Sequence, residues 1–553
     1  MSSDTPSPPG SPPHHLEQQR RENRELVRAL GLDPYGARSD GLLEIAAARD
    51  RYDAAADAAH QAAGKAPPPD YADRRAVVAV AGRVVLLRDN GKLVWITLRD
   101  ASGDLQVALS QRDADETSFK LAKLLDLGDV VAARGPLMRT RTGELTLWAA
   151  SLAPGAKCLL PPPEKHAGLH DPELRYRRRY VDMWATPQTL RVLQARSRIV
   201  ARVRRSLDER GFLEVETPML QPLAGGAAAR PFTTRMHALD LPLFLRIAPE
   251  LYLKRLLVGG MPRVYELGRN FRNEGLDKRH NPEFTSLEVY QAWGDVRTMM
   301  DLAEDLIREL AGMIAREFPP EGAPDAPGPP ARGAHLILPM GELNIDYAAP
   351  FRRLAYGELF EAALGFPMED HGRVRAAVVE HHLARRIKGA ELPAGATDRE
   401  ALALLETLDP ALLVNTLFEE LAEARLDPAR PTFVTDYPAA ISPLTRARPD
   451  NPALADRADL FIAGMEIGPF YTELNDPDVQ EARFREQLRG LDAEESTFRT
   501  FDQDFIDALK VGMPPAGGLG LGIDRLVMLL TNQRSIRDAI LFPLMRPLPA
   551  SEA

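Results

Sequence analysis

The sequence predicts an α+β protein in which an all-β barrel precedes one large domain of helices and strands. Residues 76–152 form short β-rich runs separated by turn residues such as Asp89-Asn90-Gly91-Lys92. From residue 176 onward, helical periodicity and strand-like segments occur together. The 553 residues exceed one ordinary domain, so we expect two or three.

The composition and the charge exclude several classes of protein. The 69 basic and 79 acidic residues give a formal net charge of -10, which argues against non-specific binding of nucleic acids. Because Cys158 is the single cysteine, neither an internal disulfide nor a thiolate zinc cluster can form. No apolar run is long enough to span a membrane, and the first residues do not resemble a secretory signal. We therefore expect a cytoplasmic protein.

Two clusters of arginines could still provide local basic faces. The alternative is that each cluster lies on an ordinary solvated helix face, and the sequence leaves both interpretations open. The clusters are Arg20, Arg21, Arg24 and Arg28, and Arg175, Arg177, Arg178 and Arg179.

The first third of the chain is predicted to contain three successive parts. Residues 1–70 comprise a disordered tail, up to about residue 15, and one or two helices. Residues 71–160 contain five predicted strands, with a helix at about Asp113–Leu125 between the third and the fourth. This order predicts a small closed barrel of the OB type, which commonly binds oligonucleotides but has other uses. Residues 161–175, which begin with three prolines, are predicted to be a linker.

Residues 176–553 are predicted to form the large domain. Its first long helix, Thr189–Arg210, has a helical apolar period and stops at Gly211. A surface insertion is expected at about 315–410, because a Pro/Gly/Ala-rich stretch lies near its start.

Three stretches of the large domain are unusual for plain structure. The first, residues 211–218, taken alone is typical of helix–turn–strand packing. The second has two β-rich arms, at 263–267 and 284–290, joined by a loop dense in Arg, Asn, Glu and His. Arginine binds phosphate bidentately and an aromatic ring can stack on a base. The loop therefore favours a triphosphate substrate over a merely polar hairpin.

The third stretch, residues 517–526, is a glycine-rich strand that leads into a helix with Arg525 near its start. Glycines allow a backbone to approach a ligand, and a helix N-terminus favours anions. The stretch matches neither the dinucleotide fingerprint nor the P-loop. Upstream lies an acidic cluster that is either a charged surface or, through two strand carboxylates, a site for Mg²⁺ beside phosphates. Its members are Asp459, Glu466, Glu473 and Asp476.

In this order, the three stretches resemble the signature motifs of class II aminoacyl-tRNA synthetases, and most closely those of class II lysyl-tRNA synthetases of the bacterial and eukaryotic type. The resemblance runs from about residue 75 to 547 with a weak zone at 315–410, and blocks at 225–232, 245–254 and 471–477 extend it. It implies a six- or seven-stranded antiparallel sheet with flanking helices, preceded by an OB barrel that reads the anticodon. It also implies a homodimer whose interface includes the long helix and Pro218.

The resemblance assigns a role to residues of the second and third motifs. Arg272 is expected on the α-phosphate of ATP and Arg525 on the γ-phosphate, and these two arginines are the expected catalytic groups. Phe284 is expected to stack on adenine, with Glu274 and His280 nearby. Mg²⁺ is expected on Asp459 and Glu466, although the first position is usually Glu in this family.

The resemblance also implies a lysine pocket and an anticodon surface. Glu288 and Glu473 are expected to bind the side-chain ammonium of lysine, with Tyr471 as a wall and Glu250 near the α-amino group. Pro469 stands where the family has Asn, and Phe470 where it has a small residue, so a contact to the substrate carboxylate is lost or taken over by Arg272. The full lysine-binding set is Gly226, Glu250, Arg272, Glu288, Tyr290, Tyr471 and Glu473, and the anticodon-binding set is Arg88, Trp95, Gln106 and Glu144.

The implied activity is that of a ligase, which forms lysyl-adenylate from L-lysine and ATP and transfers the lysyl group to tRNA(Lys). Three other kinds of protein share part of these features: an aspartate or asparagine synthetase, a paralogue that lysylates a protein, and a non-catalytic RNA-binding descendant. Carboxylates at positions 288 and 473 oppose the first, the barrel opposes the second, and Arg272 with Arg525 opposes the third.

Overall fold

The computed structural model describes residues 15–64, 71–161, 171–227, 229–319, 336–387, 397–488 and 501–548. The chain forms two compact units, one up to residue 190 together with the C-terminal end from residue 545, and one from 191 to 544. The predicted tail, most of the predicted linker and most of the Pro/Gly/Ala-rich stretch lie outside the described residues.

The first unit contains three N-terminal helices where one or two were predicted, followed by a β-barrel and two short helices. Its elements are α1 (His15–Ala29), α2 (Ile45–Arg49), α3 (Ala54–Ala63), β1 (Val77–Asp89), β2 (Leu93–Asp100), β3 (Gly103–Ser110), α4 (Glu116–Lys123), β4 (Val130–Arg139), β5 (Leu145–Trp148), β6 (Ser151–Ala156), α5 (Pro172–Arg177) and α6 (Arg179–Ala185).

The barrel has the predicted strand order, with one additional short strand. Its sheet runs β1-β2-β3-β5-β4-β6 and closes because β1 also pairs with β4. Alternation along β2 explains the packing, since Val94, Ile96 and Leu98 are buried in the core and Trp95 faces the other side. The predicted helix lies between the third and fourth strands as α4.

The two arginine clusters are engaged within the first unit. Arg20 is buried and donates hydrogen bonds to the carbonyl oxygens of Leu127 and Cys158, while Arg21, Arg24 and Arg28 pair with Glu17 or Glu25. In the second cluster, Arg175 and Arg179 pair with Asp182, and Arg177 pairs with Glu173. These contacts favour packing and surface ion pairs over two free basic faces.

The second unit is built around one large sheet. Its elements, with the helix that leads into it, are α7 (Pro187–Glu209), β7 (Leu213–Glu214), β8 (Leu220–Gln221), β9 (Thr233–Met236), β10 (Leu241–Leu245), α8 (Glu250–Val258), β11 (Arg263–Phe271), β12 (Glu283–Ala292), α9 (Val296–Glu317), β13 (Ile337–Met340), β14 (Leu343–Asp346), β15 (Arg352–Ala355), α10 (Tyr356–Leu364), α11 (His371–Glu380), α12 (Asp398–Leu405), α13 (Pro410–Leu417), β16 (Thr432–Thr435), β17 (Arg457–Ile462), β18 (Met465–Thr472), α14 (Pro477–Gln487), α15 (Gln503–Gly512), β19 (Ala516–Gly522), α16 (Ile523–Leu530) and α17 (Ile536–Ala539).

The large sheet has eight strands rather than the expected six or seven. The order is β15-β16-β17-β18-β19-β12-β11-β7, and the six central strands are antiparallel. The short strands β7 and β15 each add a parallel pairing at one edge, and these pairings account for the difference. β15 lies within the predicted insertion, so part of that segment belongs to the sheet.

The two faces of this sheet differ in what lies against them. Helices α7, α9 and α16 pack on one face, and side chains such as Leu287, Leu519 and Leu521 point into that core. Because side chains alternate along a strand, the neighbouring Glu288 and Gly520 face the other side, where a cavity opens. The antiparallel scaffold therefore supplies one packed face and one functional face.

Helices α10 and α11 of the predicted insertion pack with α13, which follows it, around a core of their own. Tyr356 of α10 stacks on Phe418 with ring centroids 3.8 Å apart, and buried side chains from α10, α11 and α13 surround this pair. The segment that follows α13 reaches the cavity, where Glu419 and Glu423 form part of the wall.

Candidate active site on the open face of the large sheet

A cavity of about 890 Å³ lies against the open face of the sheet. Every second-unit residue with an expected role in binding or catalysis lines it, with the exception of Glu473. The lining residues among them are Gly226, Glu250, Arg272, Glu274, His280, Phe284, Glu288, Tyr290, Asp459, Glu466, Tyr471 and Arg525.

Arg272 lies at one end of the cavity, directly after β11. Its backbone N–H donates to the carbonyl oxygen of Pro282 (2.8 Å), so it is held where the β11–β12 hairpin begins to open. Its guanidinium carbon is 5.1 Å from the centre of the Phe284 ring, which is within the range of a cation–π contact. The expected phosphate-binding and base-stacking side chains are therefore adjacent.

Arg525 reaches the same end of the cavity from the first turn of α16. It donates to the carbonyl oxygen of Glu466 (2.5 Å) and contacts Nε2 of His280 (2.9 Å). The other ring nitrogen of His280 lies 2.7 Å from the carboxylate of Asp277. Burial lowers the pKa of Arg525 from its ordinary value, against the effect of Glu466, but a guanidinium stays protonated in proteins. This end of the cavity is therefore cationic.

Asp524 joins the second and third of the unusual stretches to helix α7. Its buried carboxylate accepts a hydrogen bond from the backbone N–H of Thr285 (2.7 Å) in β12 and pairs with Arg196 of α7. Arg196 also donates to the hydroxyl of Thr285 (3.0 Å). Sequence reasoning missed both charged residues, because their partners are far away along the chain.

The opposite end of the cavity is acidic and buried. Glu288 and Tyr290 project from β12, and Glu250 is the first residue of α8. The hydroxyl of Tyr290 donates to Glu288 at 3.2 Å. Burial first, and the charge of Glu250 second, raise the pKa of Glu288 to about 8. Without a cation in the pocket, the ionised form of Glu288 is destabilised. A cation that enters the pocket would stabilise that form.

Two glycines make room for this acidic end. Gly226 has φ of +83°, and a Cβ there would lie 3.3 Å from the Cβ atoms of both Ala248 and Glu250. A Cβ at Gly518 would collide with the carboxylate of Glu473 and with the Tyr290 ring. The glycines of β19 were expected to make room for a ligand. At position 518, the glycine makes room for the side chains of Glu473 and Tyr290 instead.

Glu473 does not line the cavity, although it was expected to bind the substrate ammonium. Its side chain is fully buried behind the cavity wall and pairs with Lys254 of α8, whose Nζ lies 2.5 Å from Oε2. The same ammonium lies 2.7 Å from Oε1 of Glu250. The four-residue spacing of Glu250 and Lys254 on a helix could have predicted the contact between them. No local spacing could have predicted the contact between Lys254 and Glu473.

The two expected metal ligands differ in their surroundings. Asp459 is buried and accepts hydrogen bonds from Nε and Nη2 of Arg457, at 3.0 and 2.7 Å. The pairing of β17 with β18 places Glu466 near Asp459, and the side chain of Glu466 opens into the cavity. Burial first, and the charge of Asp459 second, raise the pKa of Glu466. Across the described part of the chain, no group of three or more His, Cys, Asp or Glu could hold a metal ion. Any cation here would rely on at most two protein carboxylates.

Glu423 adds a carboxylate to this wall that the sequence did not reveal. It lies in the segment after α13 and faces the cavity. Burial first, and then the charges of Glu419, Glu466 and Asp459, raise its pKa to about 8.

The unusual residues Pro469 and Phe470 lie on opposite faces of β18. Pro469 lines the cavity and provides neither a side-chain donor nor a backbone N–H. Phe470 turns into the core, where its ring centre is 5.1 Å from that of Phe433. Phe470 therefore does not narrow the cavity, and the loss of polar groups is confined to position 469.

The expected anticodon residues lie on the barrel of the first unit. Arg88 and Trp95 are directly opposite each other on β1 and β2, which places them on the same face. Gln106 on β3 accepts a hydrogen bond from Thr146 (2.9 Å), two residues after the exposed Glu144. Trp148 was not foreseen and meets Trp95 edge to face, with ring centres 6.1 Å apart.

No helix within the described ranges is long and apolar enough to cross a membrane.

Comparisons with known proteins agree with this architecture. Residues 171–546 match the family of class II tRNA synthetases (D, K and N), and residues 78–154 match the OB-fold nucleic acid binding domain. The chain is 42% identical over 553 residues to a lysine–tRNA ligase of Bordetella bronchiseptica, covering 99% of both chains. It is 41% identical over 536 residues to a lysine–tRNA ligase of Carboxydothermus hydrogenoformans, covering 97% of this chain and 98% of the relative. The chain therefore belongs to the class II tRNA synthetases of the D, K and N family, and within them to the lysine–tRNA ligases.

Proposed function

We propose that this chain activates L-lysine with ATP and transfers the lysyl group to the 3′ end of tRNA(Lys). The observation that carries the proposal is a single cavity with a buried acidic pocket at one end and two arginines at the other. Lysine and ATP have the complementary charges. The similarity to lysine–tRNA ligases over nearly the whole chain supports the same reaction.

In the first step, a carboxylate oxygen of lysine bonds to the α-phosphorus of ATP, and the bond to pyrophosphate breaks. Arg272 would bind the α-phosphate and Arg525 the γ-phosphate, while Phe284 stacks on adenine. Glu274 and His280 line the same end of the cavity. Positioning and stabilisation of the phosphate charge account for catalysis, and no side chain is assigned as a general base.

The acidic pocket would select the amino acid. Glu288 would bind the side-chain ammonium, with the rings of Tyr290 and Tyr471 as walls, and Glu250 would bind the α-ammonium. Glu473 would act from behind the wall rather than by direct contact, because its side chain is enclosed and paired with Lys254. An aspartate substrate would instead place a carboxylate against Glu288, which opposes that alternative.

We propose Mg²⁺ as the divalent metal of this reaction. Glu466 opens into the cavity, where burial first and the charge of Asp459 second raise the pKa of its carboxyl, and a bound cation would favour the ionised form. Asp459 would be the weaker ligand, because Arg457 occupies both of its oxygens. One or two carboxylates together with substrate phosphates suit Mg²⁺, which would neutralise phosphate charge. Glu466→Gln should therefore raise the Mg²⁺ concentration needed for half-maximal activity more than Asp459→Asn does, and equal shifts would contradict this ranking.

The second step would use the barrel to recognise tRNA. Trp95 offers a half-exposed ring for base stacking, Arg88 lies directly opposite it, and Gln106 and the exposed Glu144 add polar groups to the same barrel. A local surface of this kind is compatible with the net charge of -10, because recognition depends on specific contacts. A tRNA substrate would also place the reaction in the cytoplasm.

We infer a homodimer as the working assembly. Several large apolar side chains near the first motif are exposed in the single chain: Leu213, Met219, Leu220, Met236, Leu239 and Leu241. A patch of this kind marks an interaction surface. Sedimentation equilibrium should give twice the chain mass of 61.0 kDa, and a monomer at micromolar concentration would contradict the inference.

Amino-acid-dependent exchange of pyrophosphate into ATP tests the proposed activity. The purified protein should catalyse exchange with lysine and with none of the other nineteen standard amino acids, and it should then charge tRNA(Lys). Exchange with aspartate or asparagine would reassign the substrate. An absence of exchange with all twenty would contradict the enzymatic function.

A further inference from the structure

A buried lysine of the protein lies behind the pocket that would receive the substrate lysine. The side chain of Lys254 is fully enclosed, and its Nζ lies between Oε1 of Glu250 (2.7 Å) and Oε2 of Glu473 (2.5 Å). These carboxylates come from α8 and from the strand end after β18, so the ammonium joins two elements. Lys254 does not line the cavity, which means that it cannot contact the substrate.

The electrostatics of this cluster are unusual for a protein interior. Burial alone would lower the pKa of Lys254, but the charges of Glu250 and Glu473 raise it above its ordinary value. Without that ammonium, two buried carboxylates would face each other near Glu288, and each would incur a large desolvation cost. Three carboxylates so close together could not all stay ionised in a fixed geometry without a counter-ion.

Fixed geometry matters here because the substrate carries two ammonium groups, one on Cα and one at the end of its side chain. Glu250 can serve the α-ammonium only if its carboxylate is already oriented, and one of its oxygens is held by Lys254. Glu473 lies beside Tyr290, since a Cβ at Gly518 would collide with both side chains. The position of Lys254 therefore fixes the back wall of the lysine pocket.

We propose that Lys254 is a positioning residue that orients Glu250 and Glu473 and thereby sets the affinity and selectivity of the pocket for lysine. The proposal rests on the proposed function, because it concerns the amino-acid end of the same cavity. It goes beyond that function by assigning the internal counter-ion of the pocket and by giving Glu473 an indirect role.

Lys254→Met tests the proposal, since it keeps the length of the side chain and removes the charge. The dissociation constant for lysine should rise by about tenfold or more, while that for ATP changes by less than about twofold. Equal losses for both substrates would indicate a merely structural role and would overturn the proposal. An unchanged lysine affinity in the folded variant would overturn it too.

Lys157→Met provides a matched control. Lys157 is also a buried ammonium between two carboxylates, with Nζ 2.6 Å from Asp126 and 2.7 Å from Asp129, but it lies in the first unit. Its loss should lower the melting temperature without changing the lysine affinity. If Lys157→Met weakened lysine binding as much as Lys254→Met, the specific role of Lys254 would be excluded.

A double variant covers the case in which Lys254→Met does not fold. Lys254→Met combined with Glu473→Gln removes one charge of each sign and should be easier to accommodate. Its dissociation constant for lysine should exceed that of Glu473→Gln alone by more than about twofold, because Glu250 also loses the ammonium that orients it. Equal lysine affinities of the double variant and Glu473→Gln would contradict the proposal. Lysine-dependent exchange by the wild-type protein separates these outcomes from a failure of the proposed function.

Discussion

The two ends of the cavity differ in how their charges are held. At the acidic end, Glu250, Glu288 and Glu473 are buried, and Lys254 and Tyr290 hold them in place. At the cationic end, His280 is exposed, and Arg272 and Arg525 are only partly buried. The acidic end is thus enclosed before any ligand arrives, whereas the cationic end is open.

The difference follows from what each end would bind. A lysine ammonium offers one compact charge, and a pocket can select it only with carboxylates fixed in a region of low dielectric. A triphosphate offers many oxygens, so arginines at an open site can find bidentate contacts. The comparison predicts that changes at the acidic end alter lysine affinity alone, and that changes at the cationic end alter the rate.

The largest expected effect is at the cationic end. Arg272→Ala should lower kcat/KM for lysine-dependent exchange by about 10³-fold, because the α-phosphate loses its charge stabilisation in the transition state. Steady-state exchange kinetics measure it. Arg269→Ala, which removes a half-buried arginine of the same strand that pairs with Glu283 outside the cavity, should stay within about twofold of wild type. Similar losses in both variants would remove the assigned role of Arg272.

Glu288→Gln should have the next largest effect, and it should be confined to the amino acid. KM for lysine should rise by about 10²-fold, since a buried partner of the substrate charge is lost, while KM for ATP stays within about twofold. Glu283→Gln on the exposed part of the same strand is the control. If the two Michaelis constants rose together, the separation of the two ends would be wrong.

Trp95→Ala should affect tRNA and leave the cavity unchanged. Loss of one stacking surface should weaken tRNA(Lys) binding by about tenfold, whereas exchange without tRNA should proceed at the wild-type rate. Filter binding and exchange assays measure the two quantities. Trp293→Ala, which removes an indole that is 80% exposed in the second unit, should leave both unchanged. A loss of exchange activity in Trp95→Ala would contradict an independent role for the barrel.

A pH dependence of lysine binding should be comparable in size to the effect of Trp95→Ala. The pKa of Glu288 is raised to about 8 in the empty pocket, so binding of an ammonium below that pH must release a proton. The dissociation constant should increase by about tenfold between pH 8 and pH 6.5, as calorimetry would measure. Glu288→Gln should flatten this dependence, and a flat wild-type profile would contradict the assignment.

The same shift has a consequence for stability. The native protein keeps a proton on Glu288 between about pH 4.5 and pH 8, whereas the unfolded chain loses it near the ordinary carboxyl pKa. This group therefore contributes stability that is fully present at low pH and is lost as the pH rises towards 8. Saturating lysine should reduce that loss, because it stabilises the ionised form.

The sequence predicted the cavity lining better than it predicted the contacts behind it. Arg272, Glu288 and Arg525 stand in local motifs, and strand alternation along β12 directs Glu288 to the open face of the sheet. The roles of Lys254 and Arg457 were not predicted. Lys254 acts through Glu473, and both residues depend on side-chain packing that no local pattern encodes. The barrel was foreseen from its turn spacing, but the edge strands β7 and β15 are too short to be recognised.

A crystal structure with a bound non-hydrolysable lysyl-adenylate analogue would show directly which end of the cavity holds each part of the substrate. We expect the side-chain ammonium about 3 Å from the carboxylate of Glu288, the adenine on Phe284, and the phosphate oxygen on Arg272. Lys254 should remain between Glu250 and Glu473 without touching the ligand. An analogue bound in the reverse direction, or an ammonium that displaces Lys254 from Glu473, would contradict the division of the cavity into a selective acidic end and a catalytic cationic end.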